Sequence, residues 1–117
     1  MEDLRKEFGK HYLVEFCDCD KEKLKYVNFV QESLLKAAVK SQATILQQFF
    51  HQFDPFGVSG VVFIAESHFS IHTWPEDRYA GLDILTCGEM YPELAIEELK
   101  RLLEAKTVKT KVIARGI

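Results

Sequence analysis

The spacing of hydrophobic and polar residues changes several times along the chain, and each change marks an element. His11-Tyr-Leu-Val-Glu-Phe16 is a short, mostly apolar run and reads as a first strand. From Lys21 the period lengthens. Leu24, Val27, Val30, Leu34 and Ala38 lie on one helical stripe, which predicts a helix over 21–40. Cys17-Asp-Cys-Asp20 supplies N-cap chemistry for it, and Lys36 and Lys40 suit the dipole at its end. The mixed run from Ala43 to Phe53 reads as a second strand, and Asp54-Pro-Phe-Gly57 as the turn that closes it.

Gly57 to Glu76 is the stretch that organises the rest. Val58, Val61, Val62, Phe63 and Ile64 come before Ala65-Glu66-Ser67, and Phe69, Ile71, Thr73 and Trp74 come after. β-Branched and aromatic residues on both sides of a short join predict a hairpin. The join has no Asn-Gly or Asp-Gly, the pairs that relax a two-residue turn. Because strain tends to be retained where chemistry uses it, this turn is the candidate site. Pro75-Glu-Asp-Arg78 forms the next turn, and Tyr79 to Thr86 a further strand closed by Cys87-Gly88. A second helix begins at Pro92, with Ala95, Leu99, Leu102 and Leu103 as its apolar face and Glu97, Glu98, Lys100 and Arg101 solvated. Alternation over Thr107 to Ala114 gives a last strand. The order β-α-β-β-β-β-α-β, with short turns between most strands, predicts an α+β, two-layer sandwich: a mostly antiparallel sheet with two helices packed on one face.

Bulk properties narrow the function. A chain of 117 residues suits one domain, 1–117, with little interior for a deep pocket, so a site between subunits is one solution. A net charge of −3 without a basic stripe argues against nucleic acid. No apolar run reaches membrane-spanning length and the N-terminus has no secretory h-region, so a cytoplasmic location is expected. Cys17, Cys19 and Cys87 are odd in number, and Cys17-Asp-Cys19 is not a Cys-x-x-Cys pair. No disulfide framework and no metal site are expected, and Cys17 and Cys19 read as free, mostly buried thiols.

The ordered set Val58-Ser-Gly60, Glu66-Ser-His68, Ile71-His-Thr-Trp-Pro-Glu76 and Thr86-Cys-Gly88 resembles the prokaryotic S-adenosylmethionine decarboxylases, pyruvoyl enzymes of polyamine synthesis. The resemblance runs from about Gly9 to Ala105. It implies that the chain cuts itself between Glu66 and Ser67 into 1–66 and 67–117, the Ser67 hydroxyl attacking the Glu66 carbonyl. It further implies that Ser67 becomes a pyruvoyl group whose ketone condenses with the substrate amine as a Schiff base and accepts electrons as carbon dioxide leaves. Cys87 would then return a proton to the substrate carbon. His72 would be the base for the elimination step, and Ser59 would help form or stabilise the intermediate. Phe53 would stack on adenine, Glu76 would accept from the ribose hydroxyls, and Glu15 could lie near the sulfonium. Apart from the resemblance, Ser67 is a turn serine, Cys87 a small buried cysteine, His72 a satisfied strand histidine, Phe53 a core residue and Glu76 a solvated one.

Strand geometry adds an independent expectation. Ser67 and His72 are five residues apart, which places them on opposite faces of a regular strand and about 17 Å from each other. A hairpin centred on Glu66 would put Ser59 near Thr73 and Gly60 near His72. Ser59 and His72 then form one group and Ser67 another, and a symmetric homodimer would unite each with its complement twice. The dimeric prokaryotic members of the family look the same. Two other readings stay open: a pyruvoyl decarboxylase of arginine or ornithine, and a small α/β binding module without enzymatic activity.

Overall fold

A computed structural model describes residues 6–117; Met1–Arg5, where the segment expected to lack an h-region begins, lie outside the described residues. The strands are β1 (Glu7–Cys17), β2 (Ile45–Gln52), β3 (Val58–Ile64), β4 (Ser67–Trp74), β5 (Tyr79–Thr86) and β6 (Thr107–Gly116), and the helices are α1 (Val27–Lys40) and α2 (Pro92–Leu102). The strands form one sheet in the order β2-β3-β4-β5-β1-β6, antiparallel at every seam. Both helices cover the same face. This is the α+β sandwich that the sequence predicts.

Period-two alternation sets the layers. On β4, Phe69, Ile71 and Thr73 are buried under the helices, while His72 and Trp74 stand exposed on the other face. Val14, Phe16, Val62, Leu82 and Ile84 continue the buried rank and meet Leu24, Val30, Leu34, Ala37 and Ala38 from the α1 side and Ala95, Leu99 and Leu103 from the α2 side. Burying each of the larger of these side chains contributes about 1.5–3 kcal/mol. Among the described residues no helix covers the opposite face, which exposes Phe49, Phe63, Trp74 and Ile113.

Two expectations need correction. The helix predicted over 21–40 is broken: Lys21–Leu24 is a 3-10 turn capped by Asp20, which accepts from Glu22 N at 3.0 Å, and α1 starts only at Val27. The cause is competition for backbone groups. The Leu24 carbonyl accepts from Thr73 Oγ1 at 2.8 Å, and the Lys25 carbonyl from Gly57 N and Gln52 Nε2, each at 2.9 Å. Val27 N donates to Gln52 Oε1 at 2.6 Å. The sheet thus claims the groups a continuous helix would use.

The second correction is the hairpin register. The turn is Ala65-Glu66, so its centre falls between them, and Ser59 pairs with His72 and Gly60 with Ile71. Opposed residues share a face. Pairing Ser59 with Thr73 would turn Val58, Val62 and Ile64 outward, and burial of that rank selects the observed register.

Candidate functional site

The predicted site residues fall into two groups at opposite ends of the β3–β4 hairpin. At the turn end are Glu66, Ser67 and Cys87. Ala65 and Glu66 have no positive φ; the mismatch between turn and strand twist is taken up by Ser67, at φ +148°. A side chain in that region costs of order 1–3 kcal/mol, and here it sits on the serine of the candidate cleavage point. Thr44 anchors the turn, its N–H donating to Glu66 Oε1 at 3.0 Å and its carbonyl accepting from Ala65 N at 2.8 Å.

Cys87 follows β5 directly, because Ser67 pairs with Thr86. Its backbone N–H donates to the Glu66 carbonyl at 2.8 Å and its thiol to the same oxygen at 3.2 Å. Two donors therefore point at the one carbonyl where an attack by Ser67 would build negative charge, as an oxyanion site requires. Gly88 makes this approach possible: a Cβ there would lie 2.7 Å from Glu66 Cγ. Cys87 is exposed, contrary to the buried alternative, and borders a cavity of about 360 Å³ that Gly9, Lys10, Tyr12 and Met90 also line.

The other group gathers around a hollow of about 490 Å³ lined by Phe53, Ser59, His72, Trp74 and Glu76, among others. Ser59 Oγ and His72 Nδ1 are 2.7 Å apart, directly across the β3–β4 seam. Phe53 is 47 % exposed, so it is not a core residue, and its ring meets His51 edge-on with centroids 4.6 Å apart. Glu76 is exposed in the 3-10 turn Pro75–Asp77. One apolar ring, one carboxylate and a paired histidine around an open hollow suit a ligand with a flat base and hydroxyl groups. The structure brings Ser59, His72, Phe53 and Glu76 together, and Glu66, Ser67 and Cys87 together, but the length of β4 separates the two sets.

Between them, the open face carries polar residues that sequence reasoning left aside. His11 Nε2 lies 3.0 Å from Asp83 Oδ1, and Ser70 Oγ donates to Asp83 Oδ2 at 3.3 Å. His68, next to the turn, is driven toward its neutral form by burial and by nearby His11, with Asp83 opposing. Tyr79 donates its hydroxyl to Glu15 Oε1. Glu15 is thus bound to a tyrosine on the open face. No motif signals these pairings, which join residues 64 and 72 positions apart; only the strand register brings them together. Of the remaining thiols, Cys17 is half-buried and Cys19 buried; burial, then Cys17 and Asp18, push Cys19 up to about 11, which keeps it protonated.

Residues 10–116 match the S-adenosylmethionine decarboxylase family. An S-adenosylmethionine decarboxylase proenzyme of Thermotoga petrophila is 49% identical over 112 residues, covering 95% of this chain and 86% of that one. A proenzyme of the same description from Geobacillus kaustophilus is 43% identical over 109 residues, covering 93% and 88%. The crystal structure of the adenosylmethionine decarboxylase from Aquifex aeolicus superimposes with a TM-score of 0.86 at 36% identity, covering 96% of this chain and 93% of that one.

Proposed function

The chain belongs to the S-adenosylmethionine decarboxylase family, and from that premise we propose that it is a self-processing proenzyme whose mature form decarboxylates S-adenosylmethionine, in the cytoplasm, for polyamine (spermidine) synthesis. The observation that carries this reading is the Glu66 carbonyl, held by the N–H and thiol of Cys87 beside a serine at φ +148°.

Processing starts at Ser67. Its hydroxyl oxygen bonds to the Glu66 carbonyl carbon, the C–N bond breaks, and the hydroxyl proton passes to the released nitrogen, leaving an ester. The Cys87 donors stabilise the charge on the carbonyl oxygen along the way, and relief of the backbone strain favours opening the amide. His72 then removes the α-hydrogen of residue 67. The Cβ–O bond breaks, Glu66 leaves as a carboxylate, and the enamine becomes an imine. Water adds, ammonia departs, and the second fragment begins with a pyruvoyl group. Its ketone supplies the electron sink that decarboxylation of an amino acid needs.

The residues around Ser67 fit such a group: the position is partly exposed at a strand end, and a thiol stands beside it. Cys87 holds the proton that the substrate carbon receives after decarboxylation. Phe53 takes the adenine face and Glu76 the ribose hydroxyls, both in the hollow that also holds His72.

Ser67 and His72 stand about 17 Å apart on one strand, so one chain does not complete its own site. We assign the missing half to a second copy. A homodimer across the open face would cover Phe63, Trp74 and Ile113 and set the Ser59–His72 pair of one protomer against the Ser67–Cys87 pair of its partner. Mass spectrometry tests the processing: two fragments, 1–66 and 67–117, the second without a free amine and reactive to hydrazine, with Ser67→Ala staying whole. Carbon dioxide release from S-adenosylmethionine, arginine and ornithine then tests the substrate. Turnover of the free amino acids alone overturns the nucleoside assignment.

A further inference from the structure

His72 on β4, Gly81 on β5 and Glu15 on β1 stand in one row across the open face, His72 and Glu15 each pairing with Gly81. Two strand spacings, about 10 Å, separate the outer two backbones, and the residue between them has no side chain. Tyr79 fills that gap. It lies two positions before Gly81 on the same face, its hydroxyl would be 3.0 Å from a Cβ on Gly81, and it donates to Glu15 Oε1. Its ring is 5.3 Å from that of Trp74, which is 6.1 Å from the His72 ring. His72, Glu15, Tyr79, Trp74 and Asp83 border one cavity of about 160 Å³, room for more than one water molecule.

Ser59 Oγ lies 2.7 Å from Nδ1 of His72; in the tautomer whose Nδ1–H donates to that hydroxyl, Nε2 is the nitrogen left to take a proton. A histidine acting as a base becomes a cation, and a carboxylate fixed within reach stabilises that cation. Glu15, fixed by Tyr79, is a carboxylate on the same cavity as His72. The other acid on the cavity, Asp83, is engaged by His11 and Ser70, and Lys109 stands directly opposite Glu15 on β6, on the side away from His72.

We propose that Glu15, held by the Tyr79 hydroxyl in the gap left by Gly81, is the positioning residue for His72, stabilising the imidazolium that forms when His72 removes the α-hydrogen of residue 67. This rests on the reading of His72 as the base of self-processing. Burial and the bond to Glu15 push Tyr79 up to about 12, so it stays a donor over the working range.

Hydroxylamine separates the outcomes, because it cleaves an ester quickly and an amide slowly. A chain with a weakened base stalls as the Glu66–Ser67 ester, and hydroxylamine then splits it without forming a pyruvoyl group. Glu15→Gln and Tyr79→Phe are expected to slow spontaneous processing roughly five- to twentyfold and to accumulate hydroxylamine-cleavable chain. The double variant should be no slower than the worse single one. Gly81→Ala should slow processing by pushing the Tyr79 hydroxyl aside, yet add little in a Tyr79→Phe background, where the ring carbon lies 3.6 Å from the new Cβ. If His72→Ala accumulates the ester while Glu15→Gln and Tyr79→Phe do not, the positioning role is wrong and the base assignment stands. If His72→Ala accumulates none, both fail together.

Discussion

Replacing Cys87 with alanine separates the two jobs that the proposed function gives this residue. The Glu66 carbonyl accepts from the backbone N–H of Cys87 at 2.8 Å and from its thiol at 3.2 Å. Alanine keeps the first donor and loses the second. A weak, exposed thiol donor contributes about 0.5–1 kcal/mol, which corresponds to processing about two- to fivefold slower. Decarboxylation should suffer far more, because removing a positioned proton donor costs about 10²–10⁴ in rate. Serine makes the contrast sharper: its hydroxyl is the better hydrogen-bond donor but the poorer acid, so Cys87→Ser should process at least as fast as Cys87→Ala and still turn over poorly. The assay follows the loss of intact chain on a denaturing gel, then normalises carbon dioxide release to the processed fraction. Near-normal turnover per processed Cys87→Ala chain refutes the proton-donor role. Processing slowed a hundredfold or more refutes the claim that the backbone N–H is the main donor.

Four further outcomes are expected. Ser67→Gly and Ser67→Ala should both stay unprocessed, with the glycine variant more stable by about 1 kcal/mol because glycine accepts φ +148° and alanine does not; equal melting temperatures would remove strain from the mechanism. Phe53→Ala and Glu76→Gln should each weaken S-adenosylmethionine binding by about 1–3 kcal/mol and leave self-cleavage intact; unchanged titration calorimetry would empty that hollow of its assigned ligand. When tagged Ser67→Ala and His72→Ala chains are co-expressed, cleavage should return in the His72→Ala chain only, and a heterodimer that leaves both chains whole would confine the site to one protomer. Phenolate absorbance of the parent minus Tyr79→Phe should show a midpoint near 12. The fold favours the neutral phenol, so the stabilisation is complete below the free value near pH 10 and is lost as pH rises toward 12; a midpoint near the free value would mean that the hydroxyl is neither buried nor bound to Glu15.

What the sequence disclosed depended on the range of the forces involved. Alternation and helical stripes are local and dense in β3, β4, β5 and α2, so those elements were readable to within a residue or so. The start of α1 was not, because the groups that end it come from Gln52, Gly57 and Thr73, distant in the chain. The hairpin register was missed by one step, since centring it on Glu66 ignored which rank of β3 must be buried. Motif residues stood out individually, and the Ser59–His72 contact followed once the register was known. Glu15, Tyr79 and Gly81 gave no such signal: a glycine that serves only to make room for a ring two residues away looks like any strand glycine.

The strand order has a consequence for a chain cut as proposed. A cut after Glu66 assigns β1, β2, β3 and α1 to the first fragment and β4, β5, α2 and β6 to the second. Along the sheet these do not sit side by side. The β4–β5 hairpin lies between β3 and β1, and β1 lies between β5 and β6, so three seams, β3–β4, β5–β1 and β1–β6, join one fragment to the other. The two pieces are woven, and neither can leave without undoing the sheet. Unfolding then becomes a dissociation even within one protomer, so the cut protein should gain thermal stability with concentration through mass action between fragments. Its return from the denatured state is an encounter between two chains, a reaction order that the uncut precursor never faces when it first folds.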